Sequence, residues 1–145
     1  DGSAALVVCA TEDRARDLGK PGGPIIEVLA VAQGRDDVAH MPAAPIRAAH
    51  RALDLAALTI DDIDVIKSHN PFAVNDIAFA RAFDVDWKKM NNFGSSLVWG
   101  HPQGPTGLRA LIEMIEELVI RGGGTGLFQG CAAGDSAMAV ILRVR

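Results

Sequence analysis

Short apolar runs alternate with helical segments along the whole chain, and this alternation sets the tightest limit on its fold. A short apolar or β-branched run between turn residues is typical of a buried strand, whereas apolar residues at spacings of three and four are typical of a helix. No low-complexity linker interrupts the alternation. The sequence therefore predicts one α/β domain over residues 1–145, with a mixed sheet of about five strands and helices on both faces.

The individual segments follow from local signals. Strands are predicted at 4–10, 25–34 and 64–68, and a closing hairpin is predicted from "GLFQGCAA" and "DSAMAVILRV". Helices are predicted at 12–18, from Pro45, and after Asn70, which is expected to cap a helix that has Pro71 in its first turn. A further helix runs from Leu108 to the glycines at 122–124. Its apolar residues recur at three and four, and Glu113 and Glu117 fall on the opposite side.

Charge, apolar run length and cysteine spacing exclude several kinds of function. The formal net charge is -4 and the Lys and Arg residues form no cluster, which argues against nucleic acid as a partner. The apolar runs are far shorter than the roughly 20 residues that span a bilayer, and the chain opens without a signal-peptide pattern, so we expect a cytoplasmic protein without a membrane partner. Cys9 and Cys131 lack metal-site spacing. We expect both to be free thiols, Cys9 in the core, and no metal site.

The stretch "NNFGSSLVWGHPQGPTG", residues 91–107, is the first candidate for a functional site. It is rich in glycine and proline, and it places His101 between Gly100 and Pro102. Glycines allow sharp turns and close approach to a ligand, and prolines restrict the backbone to a fixed geometry. His101 is therefore a candidate acid/base residue. The alternative is a tight loop in which His101 is only a surface or capping residue.

Two further candidates lie where predicted strands end. His69 ends the strand at 64–68, and ligands in open α/β sheets bind near the carboxyl ends of strands. Cys131 follows an apolar strand and precedes Gly134, so its thiol lies at a turn and has the chemistry to move a proton or attack a carbonyl. The alternatives are a histidine that merely ends a strand and a buried structural cysteine.

Taken together, these motifs resemble the C-terminal half of thiolases, the acetyl-CoA acetyltransferase family. "GHPQGPTG" (100–107) matches the family's Gly-His-Pro-x-Gly block. "HNPF" (69–72) is similar to its Asn-Glu-Ala-Phe block, and closer to the variant His-Asp-Cys-Phe. "CAA" (131–133) takes the place of its Cys-x-Gly block, and the opening "DGSAAL" is similar to the first strand of that half. The resemblance covers essentially all of residues 1–145 and implies a thiolase-type half fold.

The resemblance also implies roles for the site residues. His101 is expected to activate a nucleophilic cysteine and to donate to a thioester oxygen, Cys131 to exchange the proton next to the thioester carbonyl, and His69 to help build the oxyanion site. Ala133 stands where the family has glycine, and its N–H is the counterpart of a second oxyanion donor. No covalently bound cofactor is expected, and coenzyme A thioesters are the expected substrates. The expected substrate-binding residues are Asn70, Phe72, Gly100, Ala133 and Gly134.

By the same resemblance, the function is acyl-CoA acyl transfer, by Claisen condensation or by thiolysis. The nucleophilic cysteine is expected in an N-terminal thiolase half, on the same or a separate chain, so this chain alone is predicted to be inactive. Homo- or hetero-oligomers are expected. Two alternatives remain: a β-ketoacyl synthase-like enzyme, which pairs two histidines and lacks the second thiol, and a non-catalytic module for assembly or acyl binding. Turnover of acetoacetyl-CoA with free CoA favours thiolase over the synthase, and an N-terminal nucleophile half favours an enzyme over the module.

Overall fold

One mixed sheet of four strands organises the computed structural model, which describes residues 2–145. Its spatial order is β1-β4-β3-β2, with β2 and β3 parallel and the other neighbours antiparallel. Asp1, the first residue of the "DGSAAL" stretch, lies outside the described residues. The strands are β1 (Ile26–Arg35), β2 (Val65–His69), β3 (Gly124–Ala132) and β4 (Ser136–Val144).

The helices lie close to their expected positions. The Thr11 hydroxyl caps the first of them by accepting from the Arg14 N–H. Thr59 and Asp62 form the reciprocal bonds of a capping box at the short 3₁₀ turn before β2. The helices are α1 (Glu12–Leu18), α2 (Ala44–Ala56), α3 (Ala73–Phe83), α4 (Ser96–Trp99) and α5 (Thr106–Arg121).

The sheet has a core on each face because successive side chains of a strand point to opposite sides. Leu127 and Ile141 pack with α2 and α3 in one core, and Phe128 and Leu142 pack with α5 in the other. The first core is rich in alanine, and its four alanines from α2 let that helix lie close to the sheet. The expected α/β class with helices on both faces is confirmed.

The expected fifth strand is absent from the described residues. The apolar run at 4–10 has no regular secondary structure, and Val7 and Val8 are each 82% exposed. Because a strand must pair its backbone groups, an apolar run without a neighbouring edge does not become one. The sheet therefore has four strands rather than about five. Cys9, which lies in this segment, is only half-buried and does not belong to a core.

Two local expectations about helices are wrong. α3 begins at Ala73 with Phe72 at its N-cap position, so Asn70 does not cap it. Asn70 is instead buried, and its amide donates to the Asp76 carboxylate. Glu117 does not face solvent, because it is buried and accepts bonds from Asn92 and Arg121. Each side chain points inward because it finds a polar partner there, Asp76 for Asn70 and the pair Asn92 and Arg121 for Glu117.

The glycine-rich stretch 91–107 forms a compact loop around the single turn α4. Gly94 has a φ of +106°, and a Cβ at that position would lie 2.0 Å from the Trp99 indole nitrogen. Only glycine fits this close approach and this backbone conformation. Gly100, with a φ of +88°, reverses the chain after α4 and delivers His101 toward the sheet. Among residues 2–145, no helix has the length and apolar character needed to cross a membrane.

The contact between β1 and α2 provides a test of this packing. A Cβ added at Gly34 would lie 2.5 Å from the Ala48 backbone nitrogen and 2.9 Å from the Ala44 carbonyl oxygen. We predict that Gly34→Ala lowers the free energy of unfolding by about 1–3 kcal/mol, because backbone must move to admit the methyl group. Gly104→Ala, with no neighbour within 4 Å, is the matched control. Urea unfolding measures the stability of both variants. A urea midpoint for Gly34→Ala equal to that of the parent would contradict the packing of β1 against α2.

Candidate active site

Parallel pairing of β2 and β3 brings two of the expected site residues to one edge of the sheet. His69, the last residue of β2, lies opposite Gly130 of β3, and Cys131 follows directly. The His69 Nδ1 atom is 3.1 Å from the Cys131 carbonyl oxygen and 4.0 Å from its Sγ atom. Gly130 is required for this arrangement, since a Cβ there would lie 2.9 Å from the Cβ of His69.

The loop before α5 adds the third residue. His101 lies against His69, with the ring centroids 4.4 Å apart. The His69 Nε2 atom is 3.2 Å from Nδ1 and 3.3 Å from Nε2 of His101. The structure thus brings His69, His101 and Cys131 together. In the sequence, His101 lies 32 positions after His69, and Cys131 lies 62 positions after it.

The surrounding contacts indicate which ring nitrogens carry hydrogen. His69 Nδ1 faces a carbonyl oxygen, which only accepts, so this nitrogen is the donor. The Thr106 hydroxyl donates to the Pro102 carbonyl at 2.6 Å, so it accepts from His101 Nδ1 at 3.0 Å. In neutral rings both Nε2 atoms are therefore acceptors, and His69 Nε2 lies 3.2 Å from the Nδ1 atom and 3.3 Å from the Nε2 atom of His101.

Burial and neighbouring side chains oppose protonation of His69. Burial lowers the pKa of His69 below its ordinary value, and the proximity of His101 and Arg109 lowers it further. The bond to the Cys131 carbonyl acts in the opposite direction. His69 is therefore neutral near pH 7. Burial raises the pKa of the Cys131 thiol, partly offset by a hydrogen bond from the Asn75 side chain.

The expected substrate-binding residues occupy different surroundings. Phe72 is 57% exposed at the start of α3. The Gly100 carbonyl accepts from Arg109 at 3.3 Å, which fixes the backbone next to His101. Ala133 and Gly134 form the turn after Cys131, and the Ala133 carbonyl accepts from Ser136. The Asn70 amide, in contrast, is engaged by Asp76.

A buried charged contact fixes the loop that carries His101. Lys67 is 1% exposed on β2, and its Nζ atom donates to the Gly94 carbonyl at 2.7 Å. The same Nζ forms an ion pair with Glu113 of α5, at 2.7 Å from its Oε2 atom. A second bond from α5 reaches the loop through Glu117 and Asn92, at 2.8 Å. The loop is therefore held by α5 as well as by its own glycines.

Sequence reasoning missed Thr106 and Asn75. Thr106 is 1% exposed and orients His101, and its position within "GHPQGPTG", five residues after the histidine, was the available signal. Asn75 is equally buried, and its Nδ2 atom donates to Cys131 Sγ at 3.4 Å. No local signal identifies Asn75, because its partner lies 56 positions away. Across the described residues 2–145, no cluster of three or more His, Cys, Asp or Glu side chains suits a metal ion.

Comparison with known proteins identifies the family. The sequence model described as "Thiolase, C-terminal domain" matches residues 23–144. The chain therefore belongs to the thiolase family.

Two curated relatives cover nearly the whole chain. An acetyl-CoA acetyltransferase of Syntrophomonas wolfei is 37% identical over 97% of the chain and 35% of its own length. A 3-ketoacyl-CoA thiolase of Pseudoalteromonas atlantica is 36% identical over 98% of the chain and 36% of its own length. The chain thus spans about a third of the length of the curated relatives it matches.

Solved structures share the fold. The acetyl-CoA acetyltransferase of Bacillus anthracis superposes with a TM-score of 0.85 at 27% identity, over 93% of this chain and 34% of that one. Human mitochondrial 3-ketoacyl-CoA thiolase in complex with CoA superposes with a TM-score of 0.78 at 30% identity, over 81% of this chain and 30% of that one. The sheet and its flanking helices are therefore those of a thiolase.

The contact between Thr106 and His101 generates a test that needs no substrate. We predict that Thr106→Val shifts His101 away from the Nδ1–H tautomer, because that N–H loses its acceptor. Thr106→Ser keeps the hydroxyl and should keep the tautomer. Imidazole ¹⁵N chemical shifts report the tautomer directly. Identical His101 shifts in the parent and in Thr106→Val would show that the hydroxyl does not orient the ring.

Proposed function

We propose that this chain supplies the acid/base and oxyanion residues for acyl transfer between coenzyme A thioesters. The reaction is a Claisen condensation in one direction and thiolysis in the other. The supporting observation is the convergence of two imidazoles and a thiol at one sheet edge, with His69 Nδ1 4.0 Å from Cys131 Sγ and 3.3 Å between the two Nε2 atoms. The relatives' names, acetyl-CoA acetyltransferase and 3-ketoacyl-CoA thiolase, agree with this chemistry.

The carbon chemistry is assigned to Cys131. In condensation, its thiolate removes a proton from the carbon next to the thioester carbonyl, and the electron pair moves to the carbonyl oxygen as an enolate. In thiolysis, the thiol returns that proton to the carbon of the leaving enolate. Because burial raises the pKa of Cys131, the thiol is mostly protonated at neutral pH and its thiolate is a stronger base than an exposed one.

The histidine pair is assigned to the oxygen and to the nucleophile. The Nε2 atom of His101 is proposed to accept the proton of an attacking thiol. The protonated pair, whose Nε2 atoms lie 3.3 Å apart, then donates an N–H to the thioester oxygen and stabilises the negative charge that develops there. Thr106 keeps the Nδ1 proton of His101 in place, so that Nε2 remains available.

The attacking thiol is proposed to come from an N-terminal thiolase half, on the same or a separate chain. Cys9 is unsuited to the role because it lies in the opening segment, outside the cluster of His69, His101 and Cys131. An apolar groove of about 770 Å³ runs between the segment at 6–11, β1 and α5, with Val28 and Val31 half-exposed in it. An exposed apolar surface of this kind suits a protein interface. We infer that this chain alone is inactive and acts in an oligomer containing both halves.

The paired imidazoles also favour a second candidate, a β-ketoacyl synthase-like enzyme. Two histidines in contact are the arrangement expected of those synthases. Cys131 distinguishes the two functions, since a synthase lacks this thiol. Cleavage of acetoacetyl-CoA by free CoA supports the thiolase, whereas decarboxylative condensation without that cleavage supports the synthase.

Variants in a complex with a thiolase N-terminal half separate the proposed roles. We predict that His101→Ala lowers acylation of the nucleophile about 100-fold or more, because the thiol loses its base and the thioester oxygen loses a donor. Cys131→Ala should leave acylation largely intact, because that step removes no proton from carbon. It should instead abolish exchange of the acetyl-CoA methyl protons with deuterated solvent.

Mass spectrometry measures acylation and NMR measures exchange in the same samples. This chain without the partner half is the blank, and it should show neither reaction. If Cys131→Ala exchanges methyl protons at the parental rate, Cys131 is structural and the assignment is wrong.

A further inference from the structure

Asn75 is a buried polar residue whose side chain has only one hydrogen-bond partner among residues 2–145, the thiol of Cys131. It lies in the first turn of α3 and is 1% exposed. Its Nδ2 atom donates to Cys131 Sγ at 3.4 Å, and its Oδ1 atom has no hydrogen-bond partner among the described residues. The contact joins α3 to the end of β3.

Stability alone does not explain an asparagine at this position. A buried amide with an unsatisfied oxygen destabilises a fold, and an apolar side chain of similar size avoids that cost. α3 also has other anchors to the sheet. The Asp76 carboxylate accepts from Ser68 at 2.5 Å and from the amides of Asn70 and Asn91. The bond from Asn75 to the thiol is therefore not needed to hold the helix.

Among the described residues, Asn75 makes the shorter of the two side-chain contacts to the Cys131 thiol. His69 Nδ1 is farther away, at 4.0 Å from Sγ, and its hydrogen is directed at the Cys131 carbonyl. A hydrogen bond from an amide N–H to sulfur becomes stronger when the sulfur is ionised. Accordingly, the bond from Asn75 lowers the pKa of Cys131, in opposition to burial, which raises it.

We propose that Asn75 is a positioning residue for Cys131, whose amide holds Sγ in place and stabilises its thiolate at the moment it takes a proton from carbon. The inference rests on the proposed function, because it extends the acid/base role assigned to Cys131. It adds a residue of α3 to a site otherwise built from β2, β3 and the loop before α5. Asn75 itself does not touch the reacting carbon.

The experiment follows alkylation of the thiol against pH in the full protein. Iodoacetamide reacts with the thiolate, and mass spectrometry of the Cys131 peptide isolates this site, with Cys9 as the internal reference. Asn75→Leu removes the amide without adding charge and is the decisive variant, whereas Asn75→Asp keeps the shape, removes the donor and places a carboxylate beside the thiol. Each variant should raise the pKa of Cys131 by about one unit, so that its alkylation at pH 7 slows about tenfold.

Asn91→Gly is the control, because it removes an amide of the same polar network and suits the left-handed backbone of residue 91, whose φ is +55°. Asn91 bonds to Ser68 and Asp76 and, among the described residues, forms no hydrogen bond with Cys131. Its replacement should leave the pKa of Cys131 near the parental value. The proposal is overturned if Asn75→Leu titrates like the parent, or if Asn91→Gly shifts the pKa equally, since the effect then comes from the network and not from the bond to sulfur.

A second measurement separates this inference from the proposed function. In the complex with the N-terminal half, Asn75→Asp should move the pH profile of acetyl-CoA methyl exchange upward by the same amount as the thiol pKa. If the thiol pKa shifts but Cys131→Ala still exchanges at the parental rate, Asn75 positions a thiol that does no carbon chemistry. In that case the proposed function fails, the bond to sulfur stands, and the catalytic role of Asn75 is overturned.

Discussion

The parallel pairing of β2 with β3 is the constraint on which the site depends. Parallel neighbours end at the same edge of a sheet, so His69 and Cys131 meet there although 62 positions separate them. The pairing tolerates the imidazole only because residue 130 is glycine. A one-residue slip in register would turn Cys131 to the opposite face and separate it from Asn75. The proximity of His69 and Cys131 is thus a consequence of strand register and not of a loop.

Buried charged side chains of β2 and α5 stabilise the loop that carries His101. Lys67 ties the Gly94 carbonyl to β2 and pairs with Glu113 of α5, while Glu117 holds Asn92. Buried ion pairs contribute little net stability but are costly to break singly, so they favour one arrangement over others. The proposed role of His101 as base and donor requires such a fixed position. The acidic side of α5 therefore supports the site as well as interacting with solvent.

Much of this arrangement was predictable from local sequence, and the remainder depended on distant partners. Glycines at 122–124 and the apolar spacing before them identified α5, and the alternation of runs identified the α/β class. His69, His101 and Cys131 were identified by motif, but their mutual distances were not. Asn70 was predicted to cap a helix, but its side chain is buried and donates to the Asp76 carboxylate. The run at 4–10 had the composition of a strand, but composition does not supply a pairing edge. Asn75 carried no signal because its partner is a thiol on another element.

The central claim is that His69 and His101 together bind and polarise a thioester oxygen. The most direct measurement is the ¹³C NMR shift of the carbonyl carbon of [1-¹³C]acetyl-CoA bound to the protein in complex with a thiolase N-terminal half. Hydrogen bonds to the oxygen withdraw electron density from the carbon, so the account predicts a downfield shift that is reduced in each of His69→Ala and His101→Ala and lost when both are changed. A bound thioester whose carbonyl resonates as in free solution, or whose shift survives both substitutions, would contradict the account.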